Sequence, residues 1–186
     1  MDRRVKYTKS IIYDTFLNLL KEKDINNITV TEVCKLADIN RATFYRYYDD
    51  CFDLLKKIEA DFMEELTNSE PMKNLPNESV YDFTYGVLKI FKNNKKLITI
   101  LFNTNNNIYF LNEVLEECYY KCVEKWSSLF EIDKNKIEYK TVFIFNGALG
   151  IINYWIKNDF SDDTSFVAKM IEETTINGIK ELITEK

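Results

Sequence analysis

The sequence predicts an all-α protein of about nine helices, and three observations carry that expectation. Breakers are scarce: the 186 residues hold four glycines and two prolines. Apolar residues recur over long stretches with the 3.6-residue period of a helix, not the two-residue period of a strand. The interruptions are clusters of Asn and Asp, which favour turns and caps over helix interiors.

The first helix is expected from about Tyr7 to Lys23, where Ile12, Phe16, Leu19 and Leu20 make one apolar stripe. A loop over Asp24–Ile28 follows. Thr29 and Glu32 then fit a capping box, with Thr29 as N-cap and Glu32 at N3. The second helix is brief, to about Ala37, with Val30, Val33, Cys34 and Ala37 inward. Asp38-Ile39-Asn40 makes a turn, and Asn40 caps a third helix, Arg41–Tyr47. Asp49 and Asp50 start a fourth helix carrying Phe52, Leu55, Ile58, Phe62 and Leu66 at helical spacing. Residues 68–77 contain both prolines and read as a linker. Further helices are expected at roughly 78–93, 95–102, 107–130, 136–157 and 163–184.

Three parts follow from this pattern: a head at 1–48, a connecting helix at 49–70 and a larger helical body at 71–186. Net charge divides the same way. The chain totals −5, yet nine basic and six acidic residues leave residues 1–48 at +3, and the rest carries −8. A basic head on an acidic body hints at a polyanion partner.

Composition excludes much chemistry. Without histidine there is no Ser-His-Asp or Cys-His arrangement and no histidine-bearing metal site. No glycine-rich phosphate loop is present. No enzyme activity, no cofactor and no metal are therefore expected. The cysteines, Cys34, Cys51, Cys118 and Cys122, form no CxxC pair. Cys118 and Cys122 share a helix face by their spacing and fit packing better than a thiol sensor or half a soft-metal site. The charged start is not a signal peptide, and a cytoplasmic protein with reduced thiols is the expectation. The apolar-rich run Val142–Ile156 has 15 residues, short of the ~20 a membrane span needs.

The two short helices joined by three residues form a helix-turn-helix. Its third helix can enter a major groove with Arg41, Thr43 and Arg46 outward and Phe44 anchored in the core, while Tyr45, Tyr47 and Tyr48 lie at the groove edge. Arg3, Arg4 and Lys6, at the start of the chain, can reach phosphates or the minor groove.

The run ITVTEVCKLADINRATFYRYYDDCFDLL resembles the DNA-binding signature of the TetR family of bacterial transcriptional regulators. Thr29-Val30, Val33-Cys34-x-x-Ala37, Thr43-Phe44-Tyr45-x-Tyr47-Tyr48 and Leu54 fall at family positions. The resemblance implies a DNA-binding role for Thr29, Thr31, Asn40, Arg41, Thr43, Tyr45, Arg46 and Tyr47. Of these, Thr31, Arg41 and Thr43 would approach base edges, Tyr45 a base or the backbone, and Tyr47 and the Thr29 region phosphates. Arg46 stands between a phosphate contact and plain solvated charge. Phe44, Val33, Ala37 and Tyr48 are assigned to packing. Three positions depart from the pattern. Asp38 and Asp24 stand where Gly is common, and both are expected to tolerate the left-handed conformation. Cys51 replaces a lysine commonly used on a phosphate, a contact that Lys56 or the helix N-terminus can take over.

The resemblance also implies a homodimeric, ligand-responsive repressor that reads a pseudo-palindromic operator on double-stranded DNA. A helical dimeric sensor of the same fold without specific DNA binding is the alternative. Phe143-x-x-x-Gly147 leading to Trp155-Ile156-Lys157-Asn158 resembles an effector-domain subtype frequent in Gram-positive members. Aromatics at helical spacing are usually core. Phe62, Tyr85, Phe102, Phe110, Tyr119, Trp126 and Phe143 are nonetheless candidates for an effector pocket. Gly147, Gly150, Ile151, Tyr154, Phe166, Met170 and Thr174 are candidates for the dimer interface.

Overall fold

The computed structural model describes residues 3–75, 79–103, 119–120, 123–124 and 134–184. Among these residues lie nine α-helices, one 3-10 turn and no strand. The chain packs as two compact units, Met1–Glu64 and Glu65–Lys186.

In the first unit, α1 (Arg3–Glu22) buries Ile12, Phe16, Leu17, Leu19 and Leu20, the expected stripe with Leu17 added. It starts four residues before the expected Tyr7, so the basic residues lie on the helix itself. A 3-10 turn (Ile25–Asn27) follows, and Asp24 accepts the Asn26 amide at 2.9 Å. Asp24 has φ −63°. It is a cap, not the left-handed residue that the sequence suggested, because a side chain bonded to the backbone two residues on holds extended backbone.

Thr29 caps α2 (Val30–Leu36) by accepting the Glu32 amide at 3.2 Å. The reciprocal half of the expected capping box does not form, since the Glu32 carboxylate takes the Lys23 ammonium at 2.5 Å. Asp38 is left-handed as expected, at φ 51°. The Ala37 amide makes the last ordinary helix bond to the Val33 carbonyl at 2.9 Å, and the Ile39 amide bonds back to the Cys34 carbonyl at 3.0 Å, the six-to-one bond of a Schellman-type end. Asn40 accepts the Ala42 amide at 2.9 Å and opens α3 (Arg41–Tyr45). That helix is two residues shorter than expected: the Tyr47 amide bonds Phe44 in a tight turn, at 2.9 Å.

In α4 (Cys51–Thr67) the buried stripe is Cys51, Leu54, Ile58, Phe62 and Leu66. Phe52, expected inside, is 51% exposed, and Leu55 is half-buried. Phe52-based and Leu54-based stripes share Ile58, Phe62 and Leu66, so spacing alone could not decide the first turn.

The second unit begins with a correction. Residues 70–74 are no linker but a short helix, α5 (Glu70–Asn74), which carries Pro71 in its first turn and buries Met72. Proline fits there because its missing N–H would be unpaired anyway. Ser79 caps α6 (Val80–Asn93) through the Asp82 amide, at 3.0 Å. Then come α7 (Lys95–Asn103), α8 (Lys134–Lys157) and α9 (Thr164–Thr184). α9 packs on α6 and α8, α7 on α6 and α8, and α5 on α6. Leu88, Phe91, Ile98, Leu101, Ile137, Trp155, Val167 and Ile171 form the core of this unit.

The helix expected at 107–130 lies outside the described residues, except for Tyr119, Tyr120, Val123 and Glu124, which are helical. Cys118 and Cys122 also lie outside. Among the described residues, no helix is long and apolar enough to cross a membrane.

Candidate nucleic-acid interface

The head is built around Phe44, which is fully buried and meets the Tyr48 ring at 5.5 Å and the Tyr45 ring edge-on at 5.8 Å. This anchor fixes which side of the short α3 faces outward. Arg41, Arg46 and Tyr45 are exposed, Tyr45 to 55%. Thr43 and Tyr47 are half-buried.

From α2, Thr31 is exposed and accepts a hydrogen bond from the Arg41 guanidinium at 2.5 Å. Two residues expected at base edges are thus brought together and tied across the turn. The bond uses one arm of a five-donor group. It holds the Arg41 fork in place while leaving other N–H donors to face outward.

Asn40 and Thr29 are exposed, but their side-chain oxygens are committed to capping. Their contribution to a phosphate contact would come from the helix starts they hold open. Arg3, Arg4 and Lys6 are exposed in the opening turns of α1, which carry no acid. Positive charge at a helix N-terminus opposes the helix dipole, so these residues suit an external anion better than their own helix.

Cys51 is 4% exposed at the start of α4. Burial, then Asp50, Cys34 and Glu32, push its thiol up to about 11. It is neutral and supplies no charge where the family pattern has lysine. Besides Lys56, which is exposed on α4, two further lysines stand close to the turn after α3. Lys57 bonds the Tyr47 carbonyl at 3.0 Å and Asp53 at 2.8 Å, and its ammonium lies 5.5 Å from the Tyr48 ring. Lys9 of α1 lies 5.7 Å from the Tyr47 ring. Sequence reasoning passed over both. The Asp53–Lys57 spacing was visible as an i,i+4 pair, whereas nothing in the sequence places Lys9 beside Tyr47.

The other expected residues are placed as follows. Phe62 is buried and belongs to the first unit. In the second unit, Tyr85 is half-buried and stacked on Tyr81 at 5.8 Å, and Phe102 meets Phe91 at 6.1 Å. Tyr119 meets the Phe145 ring edge-on at 6.4 Å. Phe143 is 72% exposed, while Phe110 and Trp126 lie outside the described residues. Gly147 and Gly150 face open space: a methyl carbon at either position would meet nothing described within 4 Å. Tyr154 and Phe166 are exposed, Ile151 and Met170 half-buried, and Thr174 exposed with its hydroxyl bonded to the Met170 carbonyl at 2.7 Å.

Comparison with known proteins agrees with this architecture. Residues 78–177 match a family model described as a transcriptional regulator C-terminal region. An uncharacterised HTH-type transcriptional regulator of Bacillus subtilis (strain 168), YxbF, is 30% identical over 116 residues. That match covers 60% of this chain and 28% of the relative, so the chain spans little more than a quarter of that relative's length. Among solved structures, the dihydroxyacetone kinase operon activator DhaS is similar with a TM-score of 0.68 at 18% identity, over 94% of this chain and 97% of that one. A TetR transcriptional regulator from Streptococcus agalactiae 2603V gives 0.64 at 23%, over 94% and 96%.

Proposed function

The chain belongs to the TetR family of transcriptional regulators, and from that premise we propose that it is a homodimeric, sequence-specific DNA-binding repressor released from its operator by a small molecule. The observation that carries this reading is the outward face of the head. Thr31, Arg41, Thr43, Tyr45 and Arg46 surround a helix of five residues whose one buried side chain, Phe44, leaves the rest for a groove. Arg41 is suited to a guanine edge and Thr43 to a base edge or a thymine methyl. Arg3, Arg4 and Lys6 supply phosphate or minor-groove contacts.

Two heads in a twofold dimer would read half-sites about one helical turn (~34 Å) apart. The effector would bind in the second unit, where Tyr85, Phe102, Tyr119 and Phe143 are the described aromatic candidates. It would favour a conformer with wrongly spaced heads, and release would follow from its different affinity for the two states. Repression is proposed on family tendency, and an activator such as DhaS is the other direction available to this fold. No catalytic step is assigned.

The test is selection of duplexes from a random library, followed by titration of the recovered sequence. Thr43→Ala and Tyr45→Ala are expected to lower affinity for that duplex at least tenfold with the fold intact. If the wild-type protein recovers no preferred sequence at moderate salt, the DNA-binding reading fails. A reporter gene behind the recovered sequence separates repression from activation.

A further inference from the structure

A position that the family fills with a phosphate-binding lysine is here a buried, uncharged Cys51, while two other lysines converge on Tyr47 in the turn before it. Lys9 reaches the Tyr47 ring from α1, and Lys57 reaches the Tyr47 carbonyl from α4. Both line one groove of about 500 Å³ within the head, with Ser10, Tyr13, Tyr48 and Asp61. We propose that Lys9, Lys57 and the Tyr47 hydroxyl form a clamp for a DNA backbone phosphate, replacing from two other helices the charge that position 51 lacks. This rests on the DNA-binding reading above and adds two contact residues to it.

The local chemistry permits the contact. An ammonium has three N–H donors. Lys57 gives one to the Tyr47 carbonyl and one to Asp53, and one remains. Asp53 does not depend on Lys57 alone, because the same carboxylate oxygen accepts the Asp49 amide at 3.0 Å. Lys57 can therefore turn toward a phosphate without stranding a carboxylate. Asp61, one turn further along α4 from Lys57, lines the same groove, so an anion there faces its one carboxylate and the two cations Lys9 and Lys57. Tyr47 is half-buried, with Lys9 over its ring and Lys57 on its backbone carbonyl, and its hydroxyl is a further donor for the same anion.

A phosphate contact leaves a signature that a merely structural lysine does not. Each one lost flattens the dependence of log affinity on log salt by about 0.9, and it weakens binding alike on matched and mismatched sequences. The test titrates the duplex recovered from the random library over a salt series with wild type, Lys9→Gln, Lys57→Gln, Lys57→Arg and Lys56→Gln. The expected result is a flatter slope for Lys9→Gln and for Lys57→Gln, an unchanged slope for Lys57→Arg, and no effect of Lys56→Gln. Wild-type slopes in both glutamine variants would overturn the clamp, as would a flattened slope in Lys56→Gln alone. If Lys57→Gln unfolds the turn it caps, Lys9→Gln, which holds no backbone group, still decides. Failure of the wild type to bind any duplex condemns the regulator reading instead, so the two failures are distinct.

Discussion

At the scale of single residues, two aspartates show how a glycine-poor chain turns corners. No glycine among the described residues has positive φ, while Asp38 and Asp159 have φ 51° and 57°. Both end a helix in the same way. Ile39 bonds back to Cys34, and Phe160 bonds back to Trp155, at 3.0 Å in each case. The second corner carries more. Phe160 is also left-handed at φ 57°, its ring sits 4.8 Å from Trp155, and Lys95 bonds the Asp159 carbonyl and carboxylate at 3.0 and 2.8 Å. Left-handed backbone costs an L-residue about 1–2 kcal/mol, less for Asp. Asp38→Gly is therefore expected to raise stability by up to about 1 kcal/mol. Asp159→Gly should gain less, because it forfeits an exposed ion pair worth about 0–1 kcal/mol. Asp38→Ala should lower stability. Thermal unfolding of the three variants is the measurement, and an Asp38→Ala protein as stable as wild type would remove the strain from this account. The sequence made Asp38 legible and misled at Asp24. Both stand where glycine is common, but Asp serves equally as a left-handed residue and as a cap, and only the neighbouring backbone decides.

At the scale of elements, the strongly periodic helices were legible and the exceptions have local causes. α6 to α9 lie within two residues of their expected limits where both ends are described. The short α5 was hidden because two prolines in ten residues suggest a linker. One of them, Pro71, in fact starts a helix and packs against α6. A methyl group added at Gly86 would come within 2.3 Å of the Pro71 ring. Here two effects oppose each other. Gly→Ala within a helix gains up to about 1 kcal/mol, whereas forcing a carbon into a packed site costs about 1–3 kcal/mol. The proline ring is stiff and cannot fold away, so the cost is expected to win. Gly86→Ala should lower the unfolding temperature, and adding Pro71→Ala should recover most of the loss. A gain in stability from Gly86→Ala alone would mean that α5 gives way, and that the α5–α6 contact is looser than the close approach suggests.

At the scale of the whole molecule, the head was far more legible than the body, for a physical reason. A groove reader needs a polar outward face on one short helix, so its residues are fixed by register around Phe44. A pocket in a helical body is lined by the same aromatics that fill its core, and spacing does not separate the two. Phe62, a pocket candidate by spacing, is 3% exposed, which suits a core side chain and a pocket wall alike. The body does show one asymmetry. α8 buries Ile137, Thr141, Ile144, Trp155 and Ile156, yet Tyr139, Phe143 and Tyr154 are 80%, 72% and 68% exposed on the same helix, with Gly147 and Gly150 open between them. Positions 139, 143, 147, 150 and 154 follow helical spacing, so the exposed groups share one stripe. Contiguous apolar surface of that kind is what a twofold partner covers.

The proposed dimer therefore makes a prediction that is separable from folding. Phe143→Asp changes a side chain that is already at the surface of the single chain, so helix content and the core should survive. Charge placed in a desolvated interface has no partner across the twofold axis except its own copy, and like charges there repel. In sedimentation at micromolar concentration, the wild type is expected at twice the 22.1 kDa chain mass and Phe143→Asp at the chain mass. Operator affinity should fall with it, because two heads held together bind half-sites with an effective concentration that separate chains lack. A Phe143→Asp protein that stays dimeric would move the interface off this stripe of α8, whatever becomes of the DNA-binding head.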